Sequence, residues 1–335
     1  MQHHEKYMQR CLDLAKNGLG TTYPNPLVGS LIVDSKGKII SEGWHYQSGK
    51  PHAEVNAVQN AEKKGFTDFS KATIHVNLEP CSHTGKTPPC ASMIIEKRFK
   101  KVVIGTLDPH DKVAGRGLEM LKAAGINCKV GVLNEKCEDL NKRFFTYHRK
   151  KRPYIILKWA ETSDGFIAPA EKSKRAPVWI TSSYSKQRAH QLRAHEQAIL
   201  VGAQTVIDDN PSLTCRSWKG IHPIRVVIDS RENLLPDSAI FSQDAQTITL
   251  NRDTQDVAGI LADLYSYGIQ SIIIEGGAKT IQAFIDQNFW DETYQFMGTE
   301  VLFHEGLQAP RLNGKFTMLK RETINNDVLK IYRKT

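Results

Sequence analysis

The sequence predicts two consecutive α/β domains, which cover residues 1–150 and 151–335. Three observations lead to this prediction. The chain has 335 residues, roughly twice the usual length of one domain. Short apolar runs alternate with amphipathic segments in both halves, which is typical of layered α/β folds. A basic stretch that ends at Pro153 separates the halves, and a new apolar run, YIILKWA, follows it.

The first half is predicted to begin with a helix over residues 5–17, which ends at Asn17-Gly18. The next two apolar runs, SLIVD and KIISEGWH, are separated by a short turn and predict a β-hairpin. Strands are then predicted in ATIHVNLEP, KKVVIGTLD and INCKVGV, and helices in HAEVNAVQNAEKKG, PCASMIIEKRF and GRGLEMLKAAG. A last helix, in CEDLNKRFFTYHRKKRPY, leads to the domain boundary.

The second half is predicted to open with the strand YIILKWA and to contain a long helix at residues 183–195. Three later segments each combine a short apolar strand with a following loop or helix: QAILVGAQTVIDDNP, IRVVIDS and SIIIEGGAKTIQAFI. Strands of this kind are typical of a mostly parallel sheet that is covered on both faces.

The chain is basic, with a formal net charge of +9. This charge favours acidic partners such as nucleic acid, a membrane surface or phosphorylated small molecules, and the alternative is a solvated basic surface without a specific partner. The N-terminal residues include no apolar signal-peptide core, and no apolar run reaches the ~20 residues of a membrane span. Six cysteines without a secretion signal do not indicate a disulfide framework, so we expect a cytoplasmic protein.

Four residues have the spacing of a catalytic zinc site: His52, Glu54, Cys81 and Cys90. One imidazole and two thiolates supply three ligands, and the fourth tetrahedral position stays open for water. Zinc lowers the pKa of water in that position towards neutrality. Glu54 lies two residues after the histidine, where it can take the proton of the water and return it to a leaving amine.

The pattern H-A-E followed by P-C agrees with the signature of zinc-dependent nucleobase deaminases, H-x-E and P-C-x-x-C. It departs from the signature in one respect, because eight residues separate Cys81 from Cys90. The alternative interpretation is a core histidine, two unrelated cysteines and a surface glutamate. The other cysteines have no paired spacing and are predicted to be small buried apolar residues: Cys11, Cys128, Cys137 and Cys215.

The residues around and between the two ligand cysteines, EPCSHTGKTPPC, closely resemble the bifunctional deaminase–reductase family of riboflavin biosynthesis. The same resemblance is carried by YPNPLVG, GKPHAEV and DPHDKVAGRGLEMLKAAGI, and in the second half by ITSSYSKQRAHQLRAHEQAILVGAQTVIDDNPSLTCR, IRVVIDS and IIIEGGAKTIQAFI. It implies a cytidine-deaminase-like three-layer α/β domain followed by a dihydrofolate-reductase-like α/β domain. It also implies one zinc ion per chain and NADPH as cofactors.

The reactions implied by the resemblance are a hydrolytic deamination and a reduction. The first acts on diaminohydroxyphosphoribosylaminopyrimidine, and the second uses NADPH to convert the ribosyl group of the product into a ribityl chain. The partners implied are therefore phosphorylated pyrimidines, with neither nucleic acid nor membrane, and we expect a homodimer. The phosphates of substrate and cofactor would suit the basic chain.

For the deaminase half, the resemblance implies that Asn25 holds the pyrimidine. His45, His83, Lys86 and Thr87 are expected to line the same pocket. The alternative for each of them is a loop residue that hydrogen-bonds to local backbone.

For the reductase half, the sequence contains no G-x-G-x-x-G fingerprint, so a Rossmann site is not expected. Instead Glu275-Gly276-Gly277 follows a strand and opens a helix, whose free N–H groups can bind a phosphate. The alternative is an ordinary tight turn. The resemblance implies cofactor contacts along the chain at Ala160, Trp179, Thr205, Asp209, Ser230, Gly277, Ala278, Lys279, Thr280, Ile281, Gln282 and Ala283. It implies substrate contacts at Lys158, Arg193, Leu213, Arg216 and Glu275, and the alternative for Trp179 and Leu213 is core packing.

The reductase half departs from the family pattern in three places. Pro177 stands where the family usually has serine, Asn210 stands where it usually has aspartate, and the late run MGTEVLFHEG lacks the usual glycine-rich ending. Two other functions therefore stay open. One is a deaminase whose reductase-like half is not catalytic, and the other is a nucleic-acid-binding or RNA-editing protein, suggested by the charge and the deaminase motif.

Overall fold

The computed structural model describes residues 2–82, 88–110, 114–172 and 174–335. It divides into two compact units, Met1–Lys150 and Lys151–Thr335. Each unit has its own hydrophobic core.

The first unit is built on a five-stranded sheet. The strands are β1 (Gly29–Val33), β2 (Ile39–Trp44), β3 (Thr73–Leu78), β4 (Lys101–Thr106) and β5 (Asn127–Val130). Their order is β2-β1-β3-β4-β5. The predicted hairpin β1–β2 is confirmed, β1 is also antiparallel to β3, and β3, β4 and β5 run parallel.

Helices cover both faces of this sheet. They are α1 (Gln2–Ala15), α2 (Ala53–Lys63), α3 (Cys90–Glu96), α4 (Arg116–Ala123), α5 (Asn134–Leu140) and α6 (Lys142–Lys150), with a short 3-10 turn at Lys16–Gly18. Ile32 of β1 packs with α2, α3 and α4 on one face, whereas its neighbours Leu31 and Val33 pack with α1 and α5 on the other. This alternation follows from the period of two of a strand and produces three layers.

The single helix expected before the boundary is instead two helices, α5 and α6, which meet at Asn141. The side chain of Asn141 is buried and bonds to the main chain of Leu27, because its Oδ1 accepts from Leu27 N at 2.8 Å and its Nδ2 donates to Leu27 O at 2.9 Å. Asparagine competes well for backbone partners in this way, which explains the break. Cys11 and Cys137 pack in an apolar cluster as predicted, and all six cysteines of the chain are free thiols.

The second unit is built on an eight-stranded sheet. The strands are β6 (Tyr154–Thr162), β8 (Ala198–Gly202), β9 (Ile224–Ile228), β10 (Thr247–Leu250), β11 (Ser271–Gly276), β12 (Glu292–Gly298), β14 (Phe316–Ile324) and β15 (Asp327–Lys334). Their order is β10-β9-β8-β11-β6-β12-β15-β14, and a small separate sheet joins β7 (Phe166–Pro169) to β13 (Gly306–Gln308). The six strands from β10 to β12 are parallel, which confirms the prediction, and the hairpin β14–β15 adds two antiparallel strands.

The helices of the second unit are α7 (Ser183–His195), α8 (Ala203–Asp209), α9 (Val257–Ser266) and α10 (Ala278–Asp286), with a 3-10 turn at Ala239–Phe241. The helix α7 covers the predicted residues, and the hydroxyl of Ser182 caps it by accepting a bond from Ser185 N. Core clusters lie on both faces of the sheet, one with α9 and α10 and the other with α7 and α8. Within the described ranges, no helix is long and apolar enough to cross a membrane.

Candidate active sites

In the first unit, the predicted ligands His52, Cys81 and Cys90 lie together. His52 precedes α2, Cys81 follows β3, and Cys90 is the first residue of α3. His52 Nδ1 is 3.6 Å from Cys81 Sγ and 3.4 Å from Cys90 Sγ, and the three ligand atoms lie within 4.8 Å of one another. Tetrahedral zinc with Zn–N ~2.1 Å and Zn–S ~2.3 Å requires N···S separations of about 3.6 Å. The donor set and its spacing therefore fit a zinc ion.

The two thiols of this cluster differ in their electrostatics. The hydrogen bond with Cys90 lowers the pKa of Cys81, and His52 lowers it further. Burial raises it, but the net result is a pKa of about 4. The shared bond with Cys81 and burial raise the pKa of Cys90. The main-chain N–H of Cys90 also donates to Cys81 Sγ at 3.3 Å. At neutral pH the lowered pKa favours the thiolate form of Cys81 even without a metal ion. The thiolate is the form that binds a metal.

Glu54 lies in the first turn of α2 and is only 3% exposed. Burial raises its pKa to about 7, although the nearby His52 opposes that shift. A carboxyl group with a pKa near neutrality can both take up and give back a proton at physiological pH. Its place beside the His–Cys–Cys cluster suits the predicted role of acid and base.

Asn25 and His45 lie next to the cluster and contact each other. The amide Nδ2 of Asn25 donates to His45 Nε2 at 3.0 Å, and His45 Nδ1 donates to the carbonyl of Pro51 at 3.1 Å. Burial lowers the pKa of His45, so its ring is neutral and suited to accept from the amide. The ring of His45 is 5.3 Å from that of His52, centroid to centroid. The other predicted pocket residues, His83, Lys86 and Thr87, lie outside the described residues.

One acidic residue near this site was missed by the sequence reasoning. Asp108 follows β4, and burial raises its pKa to about 7, with the charges of Glu79 and Cys81 adding to the shift. In the sequence, Asp108 belongs to the run DPHDKVAGRG, which carries only the family resemblance. The parallel pairing of β3 and β4 is the signal that points to this residue. It brings the carboxyl ends of both strands to one edge of the sheet, so a residue that follows β4 lies near Cys81, which follows β3.

The second unit contains a cavity of about 1110 Å³ at the carboxyl ends of β6, β8, β9 and β11. This edge is the usual ligand site of a parallel sheet. Most of the predicted reductase residues line it: Lys158, Ala160, Trp179, Arg193, Thr205, Asp209, Leu213, Arg216, Ser230, Glu275, Gly277, Ala278, Lys279, Thr280 and Ile281. Gln282 and Ala283 do not line it. Gln282 bonds to Asp286 at 2.8 Å, and Ala283 is buried in the core beneath α10.

A part-buried ion cluster lies in the cavity wall, centred on Glu275. Its carboxylate accepts bonds from Lys158 Nζ at 2.9 Å and from Arg193 Nε and Nη2 at 3.0 and 2.7 Å. Burial alone would raise the pKa of Glu275, but the two cations outweigh it and lower the pKa to about 2. The carboxylate is therefore ionised at neutral pH, and it bonds to both cations.

Two glycine-containing loops meet across the same cavity. Gly202 precedes α8 and Gly277 precedes α10. A Cβ on Gly202 would lie 2.9 Å from Thr280 Oγ1, and one on Gly277 would lie 3.3 Å from Thr205 Oγ1. Without side chains at these two positions, a ligand can approach the main chain closely, and phosphate groups are commonly bound in this way at the start of a helix.

The structure also shows the surroundings of Trp179 and Leu213, for which core packing was the alternative, and of Asn210, which departs from the family pattern. Trp179 is 56% exposed, with Lys186 Nζ 3.6 Å above its ring, so core packing does not describe it. Leu213 is 4% exposed and lines the cavity while it packs in the core. Asn210 ends α8 with a φ of 43°, a left-handed conformation that asparagine adopts readily, and its Oδ1 accepts a bond from Ala239 N at 2.8 Å. Asparagine at this position therefore has a local structural role at the end of α8.

The chain matches two family models. Residues 1–106 match the cytidine and deoxycytidylate deaminase zinc-binding region, and residues 153–321 match the RibD C-terminal domain. The riboflavin biosynthesis protein RibD of Aquifex aeolicus is 39% identical over 324 residues, which cover 90% of this chain and 88% of that protein. The chain belongs to the RibD family. RibD of Escherichia coli is 35% identical over 332 residues, with 89% of this chain and 88% of that protein covered.

Solved structures of RibD proteins agree with this assignment. A Thermotoga maritima diaminohydroxyphosphoribosylaminopyrimidine deaminase/5-amino-6-(5-phosphoribosylamino)uracil reductase superimposes with a TM-score of 0.89 at 38% identity, covering 100% of this chain and 99% of that one. RibD of Acinetobacter baumannii gives a TM-score of 0.88 at 30% identity, with coverage of 100% and 99%. The family resemblance and the fold class predicted from the sequence are thus confirmed. The chain is a bifunctional enzyme of riboflavin biosynthesis, a deaminase and a reductase.

Proposed function

We propose that the two units carry out successive reactions on one phosphorylated pyrimidine. Residues 1–150 form a zinc-dependent domain that removes an amino group from diaminohydroxyphosphoribosylaminopyrimidine by hydrolysis. Residues 151–335 form a domain that reduces the ribosyl group of the product to a ribityl chain with NADPH. The observation that carries the first step is the His52–Cys81–Cys90 cluster beside the buried carboxyl group of Glu54.

In the proposed deamination, His52, Cys81 and Cys90 would hold one zinc ion per chain. The zinc supplies Lewis acidity, which makes water a nucleophile near neutral pH. Glu54 would accept a proton from water and give one to the departing amine, a role that its raised pKa supports. Asn25 contacts the pyrimidine, and its bond to the neutral ring of His45 fixes the direction of its amide.

In the proposed reduction, the cavity of the second unit would hold NADPH, and the loops that precede α8 and α10 would bind its phosphates. Gly277, Ala278, Lys279, Thr280 and Ile281 would contact the cofactor, together with Ala160, Trp179, Thr205, Asp209 and Ser230, all of which line the cavity. Lys158, Arg193, Leu213, Arg216 and Glu275 are left for the substrate. Guanidinium groups suit its phosphate, and the protein's part in hydride transfer is to hold donor and acceptor in line.

We also propose a homodimer in the cytoplasm. A reducing compartment keeps the ligand cysteines as thiols. The edge strand β14 is exposed over most of its length and presents Phe316, Met318 and Leu319 at 37%, 47% and 46% exposure. An exposed edge strand with apolar side chains is a common place for chains to pair, and light scattering of the purified protein tests the proposal.

A coupled assay tests both proposed reactions. The zinc-loaded protein is incubated with the diaminopyrimidine substrate, without and with NADPH, and the products are separated by chromatography. We expect ammonia and the deaminated pyrimidine without NADPH, and NADPH oxidation only after deamination has occurred. Deamination without any NADPH oxidation would favour the alternative, a deaminase with a non-catalytic second half. Salt-sensitive binding of single-stranded RNA would favour the nucleic-acid alternative.

A further inference from the structure

Glu79 has a buried carboxylate that no part of the proposed mechanism uses. It is 3% exposed and lies at the end of β3, two residues before the ligand Cys81. Its main-chain N–H donates to Thr106 O at 3.0 Å, which fastens it to the last residue of the parallel strand β4. A carboxylate taken out of water is costly unless its oxygens find donors. The donors it finds indicate its role.

Three main-chain N–H groups supply those donors, and all belong to the segment that follows β4. Glu79 Oε2 accepts from Asp108 N at 3.2 Å and from Gly115 N at 3.0 Å, and Oε1 accepts from Leu118 N at 3.1 Å. One side chain therefore joins residues 108, 115 and 118 to the end of β3. Bonds from N–H groups to an ionised carboxylate are stronger and more directional than neutral ones.

The same segment packs directly against the strand end that carries the zinc ligand. A Cβ on Gly117 would lie 2.0 Å from the carbonyl oxygen of Pro80 and 3.3 Å from Glu79 Oε1, so the start of α4 contacts the Glu-Pro pair without room for a side chain. At the other end, the carboxyl group of Asp108 is close enough to Cys81 for their charges to interact. The distance between Asp108 and the metal cluster thus depends on how Glu79 holds the main chain.

We propose that Glu79 is a positioning residue of the deaminase site: it holds Asp108 and the start of α4 against the ligand strand, so that Asp108 forms a fixed part of the wall of the substrate pocket. The inference rests on the proposed deamination by the first unit. Glu79 itself does not touch the substrate in this account. Its effect reaches the reaction through the position of Asp108, and therefore through substrate binding rather than through the zinc ion.

The test compares two variants with a matched control. Glu79→Gln keeps the size of the side chain but turns one acceptor oxygen into an NH₂ group, which faces an N–H donor. Glu79→Asp keeps the carboxylate on a shorter stem. Glu62→Gln is the control, because it makes the same change in the same unit. Glu62 is partly exposed and forms a salt bridge with Lys97 at 2.6 Å. For each purified protein, zinc content, thermal unfolding, deamination kinetics and NADPH-dependent reduction are measured.

We expect Glu79→Gln to raise the KM for deamination about 10- to 100-fold, because small displacements of a positioning group have effects of this size. Zinc content should stay near one ion per chain, kcat for deamination should change far less than KM, and reduction of the deaminated substrate should be unchanged. Glu79→Asp should recover part of the lost affinity, and Glu62→Gln should behave as wild type.

Two results would overturn the inference. A wild-type KM in Glu79→Gln with full zinc would mean that the segment is held without the carboxylate. Loss of zinc in step with loss of deamination would mean that Glu79 acts on the ligand strand and not on the pocket wall. Failure of the proposed function is a separate result, since wild-type protein would then show no deamination at all.

Discussion

Arg193 holds Glu275 by two parallel hydrogen bonds, from Nε to Oε2 at 3.0 Å and from Nη2 to Oε1 at 2.7 Å. Lys158 completes the cluster from the neighbouring strand β6, and the three side chains are 12–14% exposed. A pair with this geometry fixes the direction of the guanidinium group more firmly than a single bond would. The cluster therefore sets both the shape of the cavity wall and its response to acid.

The first prediction concerns the stability of the second unit in acid. The pKa of Glu275 is lowered from 4.5 to about 2 in the folded chain. A lowered carboxyl pKa stabilises the fold fully above the unfolded value and ceases to do so as the pH falls through the folded value. We expect this carboxylate to contribute about 3 kcal/mol at neutral pH, lost between about pH 4.5 and pH 2. Urea unfolding of wild type and Glu275→Gln at pH 6 and pH 3 measures it, and the difference between them should shrink at the lower pH. An equal difference at both pH values would contradict the assignment.

The second prediction concerns proton transfer in the first unit. Glu54→Gln should lower kcat for deamination by at least about 100-fold, because the amide cannot take or return the proton. The zinc content and the NADPH-dependent reduction should both stay at wild-type values, since the substitution removes no ligand and leaves the second unit intact. Metal analysis and the two separate activity assays check this. Loss of both activities, or of neither, would count against a catalytic role confined to the deaminase site.

The third prediction concerns the metal ligands. Cys90→Ser should reduce zinc content well below one ion per chain and abolish deamination, because a serine hydroxyl is a much poorer zinc ligand than a thiolate. Cys128→Ser is the matched control, since Cys128 is half-buried and lies outside the ligand cluster. Both variants should still reduce the deaminated pyrimidine with NADPH. Full zinc binding by Cys90→Ser would exclude Cys90 as a ligand.

The fourth prediction concerns the start of α7, the helix that carries Arg193. Asp327 is 4% exposed, and its Oδ2 accepts bonds from Ser182 N at 2.8 Å, Ser182 Oγ at 2.7 Å and Ser185 Oγ at 2.6 Å. Removing the carboxylate leaves buried donors without a partner, so Asp327→Ala should destabilise the second unit by about 2–4 kcal/mol. Urea unfolding measures the loss, with Asp237→Ala at an exposed position as the control. A change as small as that of the control would show that water replaces the carboxylate.

The sequence was most informative where local pattern and chemistry coincide. The structure contains the helix predicted at 183–195 and the hairpin predicted from two apolar runs and the short turn between them. It was least informative where tertiary contacts decide. The strand β14 is exposed on both faces, so its residues show no alternation that would predict it. The carboxylate of Glu79 finds its partners 29 to 39 residues further along the chain, a contact that no local pattern reveals.

The functional residues also differ in how well the sequence alone predicts them. The ligand cluster could be predicted because His, Cys and Glu at these spacings have few other joint uses. The end of the predicted cofactor loop could not be predicted, because Gln282 and Ala283 follow Ile281 without any change in sequence character. The helix turns them away from the cavity, towards solvent and core respectively, at 100° per residue. Trp179 was also ambiguous in the sequence, because an aromatic residue beside a strand-like run could equally pack in the core. In the structure it is exposed and lines the cavity.

The cluster around Glu275 has a further consequence for how the reductase site meets its ligands. One carboxylate serves two cations, so the group as a whole keeps one uncompensated positive charge, and Arg216 lies in the same cavity. Such an excess attracts phosphorylated molecules from a distance and raises their rate of encounter, and dissolved ions weaken this attraction once the screening length falls to about 10 Å near 0.1 M salt. The reductase should therefore lose kcat/KM steadily as potassium chloride is added, while its kcat stays nearly constant.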